Sequence, residues 1–147
     1  MNTSTLSKAK QTASVPVHNW TNSFYRILLV DDDHDLGCLN AELLSESGYH
    51  VDTAEDGASA WRALQKHRYD VMITDNTMPR VTGLELIKKI RSEEMSLAVI
   101  LASGTVPAEE LIQNPWLNID AVLPKPYSIG DLVKTVDAVL HKTITAR

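Results

Sequence analysis

The sequence predicts an α/β protein, with one parallel sheet and helices on both of its faces. Two observations carry that prediction. From Arg26 onward, short apolar runs alternate with segments whose apolar residues recur at helical spacing, making five strand–helix pairs. The connections are short, and parallel strands joined this way need right-handed helical crossovers. A third observation is that residues 27–30 and 71–74 are apolar with little alternation, the pattern of strands covered on both sides.

Residues 1–25 are rich in Ser, Thr, Asn and Lys and contain no acid. They lack periodicity and read as a flexible N-terminal tail. Val15, Val17, Trp20 and Phe24 are its apolar exceptions, able to dock on the domain or on a second copy. No apolar core of a secretory signal is present, and the absence of arginine before Arg26 weakens any likeness to a transit peptide.

Residues 26–141 form the predicted domain. The first strand covers 27–30, and Leu36, Leu39 and Leu43 follow at helical spacing until Gly48 supplies a stop. Residues 49–54 form a more polar strand, which suggests the sheet edge. Ala60, Trp61 and Leu64 share a helical face. After the strand at 71–74 comes a helix with Gly83, Leu86, Ile87 and Ile90 facing inward. A fourth strand spans 98–102, and Pro107 opens a short helix that Asn114-Pro115 closes. The fifth strand is 121–123. Ser128-Ile129-Gly130-Asp131 is a capping-box signature before Leu132, Val133, Val136 and Leu140. Residues 142–147 read as a C-terminal tail too short for a second domain.

Composition narrows the function classes. The 147 residues are 44% hydrophobic and 22% charged, the balance of a globular chain, and no apolar run approaches a membrane span. Residues 26–147 carry 12 Lys and Arg against 19 Asp and Glu. That acidic balance argues against nucleic acid as a direct partner, because such binding neutralises phosphates with cations. Cys38 is the single cysteine, so no internal disulfide forms and the cytoplasm is the default compartment. It is expected to be a small packed residue of the first helix.

The polar residues that follow the strands carry the chemistry. In a parallel sheet all carboxyl ends lie along one edge, where ligands bind. Asp31, Asp32 and Asp33 follow the first strand, Asp75 the third, Ser103 the fourth, and Lys125, between Pro124 and Pro126, the fifth. Taken singly, each has an ordinary explanation: helix caps for the Asp run, turn starts for Asp75 and Ser103, a solvated charge for Lys125. Together they place acids, a hydroxyl and an ammonium on one rim. Clustered carboxylates repel unless a cation neutralises them, and hard oxygen ligands at a hydrated rim suit Mg²⁺. A metal on Asp31, Asp32 and Asp75 would leave an Asp75 oxygen as nucleophile, with Ser103 and Lys125 meeting the oxygens of a phosphoryl group.

These motifs resemble the response-regulator receiver domain of two-component signalling over about residues 26–141. They are Ile27-Leu28-Leu29-Val30-Asp31-Asp32-Asp33, Asp70-Val71-Met72-Ile73-Thr74-Asp75-Asn76-Thr77-Met78-Pro79, Val99-Ile100-Leu101-Ala102-Ser103-Gly104 and Leu123-Pro124-Lys125-Pro126. The resemblance implies a flavodoxin-like (βα)5 three-layer sandwich of strand order 2-1-3-4-5. It implies that Asp75 is the phosphoacceptor, that Asp31 and Asp32 hold Mg²⁺ with Asp75 and the Thr77 backbone carbonyl, and that Ser103 and Lys125 bind the phosphoryl group. It implies a cis bond from Lys125 to Pro126. The expected donor is a histidine kinase or histidine phosphotransfer protein, and the output an altered contact with a downstream protein or a phosphorylation-dependent homodimer. Such a domain is a signalling module rather than a turnover enzyme.

One position departs from the family pattern. Receivers often carry Tyr or Phe three residues before the lysine, where this chain has Val122. A valine cannot make the same inward swing, so relay is left to the loop from Gly104 to Pro107, or the domain mainly passes phosphoryl groups on. Other functions fit less well. A phosphatase similar to the haloacid dehalogenase superfamily would use Asp31 and Asp33 as an Asp-x-Asp pair, but the residues after Asp33 do not continue that pattern. An EF-hand reading of Asp31, Asp33, Asp35 and Glu42 fails at Leu36, where glycine is needed. A receiver fold kept only as a binding scaffold would not need the complete set of site residues.

Overall fold

Successive side chains of a strand point to opposite faces, so an apolar strand must supply two cores at once. The computed structural model, which describes residues 24–146, meets that demand. The tail expected at 1–25 lies almost wholly outside the described residues. Among them, strands β1 (Arg26–Val30), β2 (His50–Ala54), β3 (Val71–Asp75), β4 (Ala98–Ser103) and β5 (Ala121–Pro124) form one parallel sheet in the order β2-β1-β3-β4-β5. This is the flavodoxin-like order expected.

Leu28, Val30, Met72, Val99 and Leu101 point to one face, where they pack with Ala60, Leu64, Leu86, Ile87 and Ile90. The covering helices there are α2 (Gly57–Lys66) and α3 (Gly83–Ser92). Ile27, Leu29, Val71, Ile73 and Ile100 point the other way, against Leu44, Leu132, Val136 and Leu140. Those belong to α1 (His34–Glu46) and α5 (Ile129–Ala146). Burying one such side chain stabilises by about 1.5–3 kcal/mol, so both layers are needed to hold the sheet.

Local chemistry sets the helix ends. Asp33 caps α1, Asp56 and Ser59 form a reciprocal box on α2, and Thr82 caps α3. The predicted box on α5 is present: the Asp131 amide donates to Ser128 Oγ and the Ser128 amide to Asp131 Oδ2, both at 3.0 Å. Gly48, at φ 100°, ends α1 in a conformation that L side chains rarely adopt. Helix α5 continues to Ala146, through residues that the sequence reading left to a tail. Among the described residues, no helix is long and apolar enough to cross a membrane.

Helix α1 corrects two expectations. Its buried residues are Gly37, Asn40 and Leu44, one position on from the leucine spacing. Leu36 and Leu39 are 39% and 51% exposed, and Cys38, expected to pack inside, is exposed. The Asp33 side chain caps the helix through the Leu36 amide, and Gly37 faces the strand end, where a Cβ would be in ordinary contact with Asp31 Cβ at 3.6 Å. The face that meets the sheet is thus one position on from the leucine stripe.

Helix α4 (Ala108–Gln113) is short and buries no residue, and a 3₁₀ turn at Pro115–Leu117 follows it. That turn is tied down by Arg91 of α3. Its guanidinium donates to the carbonyls of Leu117, Met95, Leu97 and Asn118 at 2.8–3.0 Å. Burial lowers the Arg91 pKa, partly opposed by the charge of Asp120. Removing it would strand several partly buried acceptors. Arg91→Ala should lower unfolding stability by about 2–4 kcal/mol in urea titrations; a loss under half a kcal/mol, within about the range of surface substitutions, would mean that the clamp is idle.

Candidate functional site

Each strand end delivers one part of the site. Val30 and Thr74 are paired in register, as are Asp75 and Ala102, and Ser103 and Pro124. The residues beyond those positions therefore come out on one edge. Oxygens of Asp31, Asp32 and Asp75 all lie within 4.8 Å of one another. Asp31 and Asp75 are 6% exposed and Asp32 is exposed, so the cluster is rooted in the sheet and opens to solvent. The Lys125 ammonium reaches back to Asp75 Oδ1 at 3.0 Å. The Thr77 amide donates to the same oxygen at 3.2 Å. Among the described residues, Asp75 Oδ2 accepts no hydrogen bond.

The two remaining parts are less directly joined. Ser103 is buried, and its hydroxyl donates to the Thr105 carbonyl rather than to Asp75 or Lys125. Its backbone is coupled to the lysine all the same: the Lys125 amide donates to the Ser103 carbonyl at 2.9 Å. The Lys125–Pro126 peptide bond is cis, as the resemblance implied. Val122 sits half-buried on β5, opposite Leu101.

Behind Asp75, the chain is held by contacts that glycine alone permits. The Gly83 amide donates to the Asn76 carbonyl and the Leu84 amide to Asn76 Oδ1, both at 3.1 Å. A Cβ on Gly83 would fall 2.5 Å from the Asp75 carbonyl oxygen and 2.9 Å from Asn76 Cα, backbone atoms that cannot step aside. The start of α3 is thus pressed against the phosphoacceptor candidate. Sequence reading places Gly83 at the irregular stretch before the helix and on its inward face, and misses this close approach to Asp75.

The charges at the rim act on one another. Burial raises the Asp31 pKa, and the charges of Asp75 and Asp32 add to that; the Asp33 amide, donating at 2.9 Å, and Lys125 oppose them. Burial alone would lower the Lys125 pKa, yet the bond and charge of Asp75, with Asp31, leave it raised. The rim therefore holds more negative charge than its one ammonium offsets. Its donors are hard carboxylate oxygens, and octahedral Mg²⁺ sets its ligand oxygens about 3–4 Å apart. The donor set, three carboxylates gathered within 4.8 Å, suits that ion.

The sequence matches the family model described as the response regulator receiver domain over residues 27–137. It is 33% identical over 117 residues to the probable transcriptional regulatory protein TcrX of Mycobacterium tuberculosis, covering 80% of this chain and 50% of that one. It is 29% identical over 117 residues to the transcriptional regulatory protein RprY of Bacteroides fragilis, with the same coverage. The chain thus spans about half the length of these curated relatives. Among solved structures, it is similar to the response regulator TrrA of Thermotoga maritima, in complex with Mg²⁺ and BeF: 31% identity, TM-score 0.69, 79% of this chain and 99% of that one. The fold is that of a parallel α/β module with an acidic rim at its strand ends. The chain belongs to the response regulator receiver domain family.

The raised Asp31 pKa gives a signed prediction. A raised acid supplies stability below its ordinary value and loses it as pH rises through the raised one, so ionised Asp31 opposes folding at neutral pH. Without Mg²⁺ at pH 7, Asp31→Asn should melt a few degrees higher than the wild type. The gap should close as pH falls below the carboxylate range; a lower melting temperature at pH 7 would contradict the electrostatic account.

Proposed function

We propose that Asp75 accepts a phosphoryl group from a phosphohistidine on a histidine kinase or histidine phosphotransfer protein. The observation that carries this reading is the Lys125 ammonium at 3.0 Å from an Asp75 carboxylate that also borders Asp31 and Asp32. In the transfer, a bond forms between phosphorus and an Asp75 oxygen while the phosphorus–nitrogen bond to the donor imidazole breaks. The freed imidazole takes up a proton. Asp31, Asp32, Asp75 and the Thr77 carbonyl would hold Mg²⁺, which supplies positive charge to the phosphoryl oxygens when bound. Lys125 supplies a further fixed charge, and the Ser103 hydroxyl is released from the Thr105 carbonyl to donate to a phosphoryl oxygen. These roles amount to positioning and charge stabilisation, which is most of what a loose phosphoryl transition state demands.

Membership of the receiver family, and similarity to response regulators and transcriptional regulatory proteins, support a signalling role over turnover of a metabolite. A phosphatase centred on Asp31 is less well supported, since the lysine engages Asp75. For the output, apolar surface favours the face around α4 and β5. Ile112 and Trp116 are 78% and 51% exposed there, beside a mixed groove whose lining includes Leu111, Ile119 and Val122 as well as Asn114, Asn118 and Asp120. This face suits a downstream protein or a second phosphorylated copy, and the loop released by Ser103 leads directly into it.

Acetyl phosphate with Mg²⁺ should add one phosphoryl group to the full chain, read by intact mass. Asp75→Asn should abolish the addition, and chelating the metal should suppress it. A folded wild-type protein that takes up nothing would overturn the proposal.

A further inference from the structure

The phosphoryl chemistry leaves one buried polar side chain of the described residues unused on the sheet-facing side of α1. Asn40 is 5% exposed, one turn beyond Gly37. A carboxamide in such a place is costly unless it is hydrogen-bonded. Its Nδ2 lies 3.4 Å from the Tyr127 hydroxyl, at the long end of hydrogen-bonding range. Tyr127 stands two residues after Lys125, across the cis peptide, in the loop between β5 and α5. Burial raises the Tyr127 pKa and the neighbouring Asp31 charge raises it further, so the phenol keeps its proton beside the site.

The location matters because of how far Lys125 must reach. Its backbone follows β5, while its ammonium contacts Asp75 at the end of β3, with β4 between them. That span crosses roughly 10 Å at ordinary strand spacing. A four-carbon stem has many rotamers over such a distance, and fixing one costs entropy. The lysine backbone is held on one side by its amide bond to Ser103. On the other side the next fixed point is Tyr127, whose ring packs at the margin of the α1–α5 core.

Packing alone does not require the polar pair. Phenylalanine opposite leucine would fill the same space without desolvating a carboxamide and a phenol. We propose that Tyr127 is a positioning residue for Lys125: its hydroxyl, braced by Asn40, holds the Lys125–Tyr127 loop against α1 and so aims the ammonium at Asp75 and the phosphoryl group it receives. The proposal rests on the phosphoacceptor reading for its kinetic consequence, while its geometric content stands apart. In this arrangement the β5–α5 loop is set against α1, which fixes the lysine side of the site and leaves the carboxylates where the strand ends put them.

The test uses Tyr127→Phe, which keeps the ring and its packing, with Asn40→Leu and the double variant. Maximal phosphoryl uptake from acetyl phosphate should fall about five-fold in Tyr127→Phe, the scale of one modest hydrogen bond. The Mg²⁺ concentration for half-maximal uptake should stay unchanged, because the carboxylates on β1 and β3 are not moved. Asn40→Leu should reproduce the loss, and the double variant should add little to it. Uptake at the wild-type rate, or a loss explained by weaker Mg²⁺ binding, would overturn the positioning role. A second measurement needs no phosphorylation: the Lys125 ammonium resonance should move toward that of solvent-exposed lysines in Tyr127→Phe. An unmoved resonance refutes the proposal even in a protein that takes up no phosphoryl group, a failure that would count separately against the phosphoacceptor reading.

Discussion

The structure depends on keeping three carboxylates together at the end of a sheet. Asp31, Asp32 and Asp75 crowd within 4.8 Å, and two of them are nearly buried. Left alone, such a cluster would protonate or pull the strand ends apart. The Lys125 ammonium at 3.0 Å from Asp75 offsets part of that charge, and it can do so only because β5 lies two strands from β3 on the same edge. The remaining excess is what the proposed divalent ion would offset. Such crowding costs stability locally, as the raised Asp31 pKa indicates.

The rest of the domain serves that arrangement. Two apolar layers clamp the sheet from both sides, so the strand ends cannot drift apart. Gly83 brings the start of α3 against the Asp75 carbonyl, closer than any side chain would allow, and α1 begins beside Asp31. By contrast, α4 buries nothing. The least anchored helix thus lies just beyond Ser103, where a change at the site has the least packing to overcome. Val122 lacks the bulk to report the site by a ring swing, which leaves the Ser103–Thr105 hydrogen bond as the nearest linkage into that segment.

Much of this was legible in the sequence. Strand composition at 27–30 and 71–74 gave two-sided burial, and the Ser128–Asp131 spacing gave the α5 cap, because both are local properties. The grouping of Asp31, Asp32, Asp75 and Lys125 followed from parallel topology once the strands were placed. What escaped was set by packing between elements. Leu36, Leu39 and Cys38 are exposed and Leu43 only half-buried, because the face of α1 that packs on the sheet is Gly37, Asn40 and Leu44. The close approach of Gly83, the Arg91 clamp and the Asn40–Tyr127 pair join residues far apart in the chain, and no local pattern announces them.

The most direct measurement is to trap the phosphorylated protein with borohydride, which reduces an acyl phosphate to an alcohol, and to locate the altered residue by peptide mass. The account requires the reduced side chain at position 75 and at no other carboxylate. Reduction at Asp31, or at neither position in a protein carrying phosphate, would contradict the assignment on which the mechanism is built.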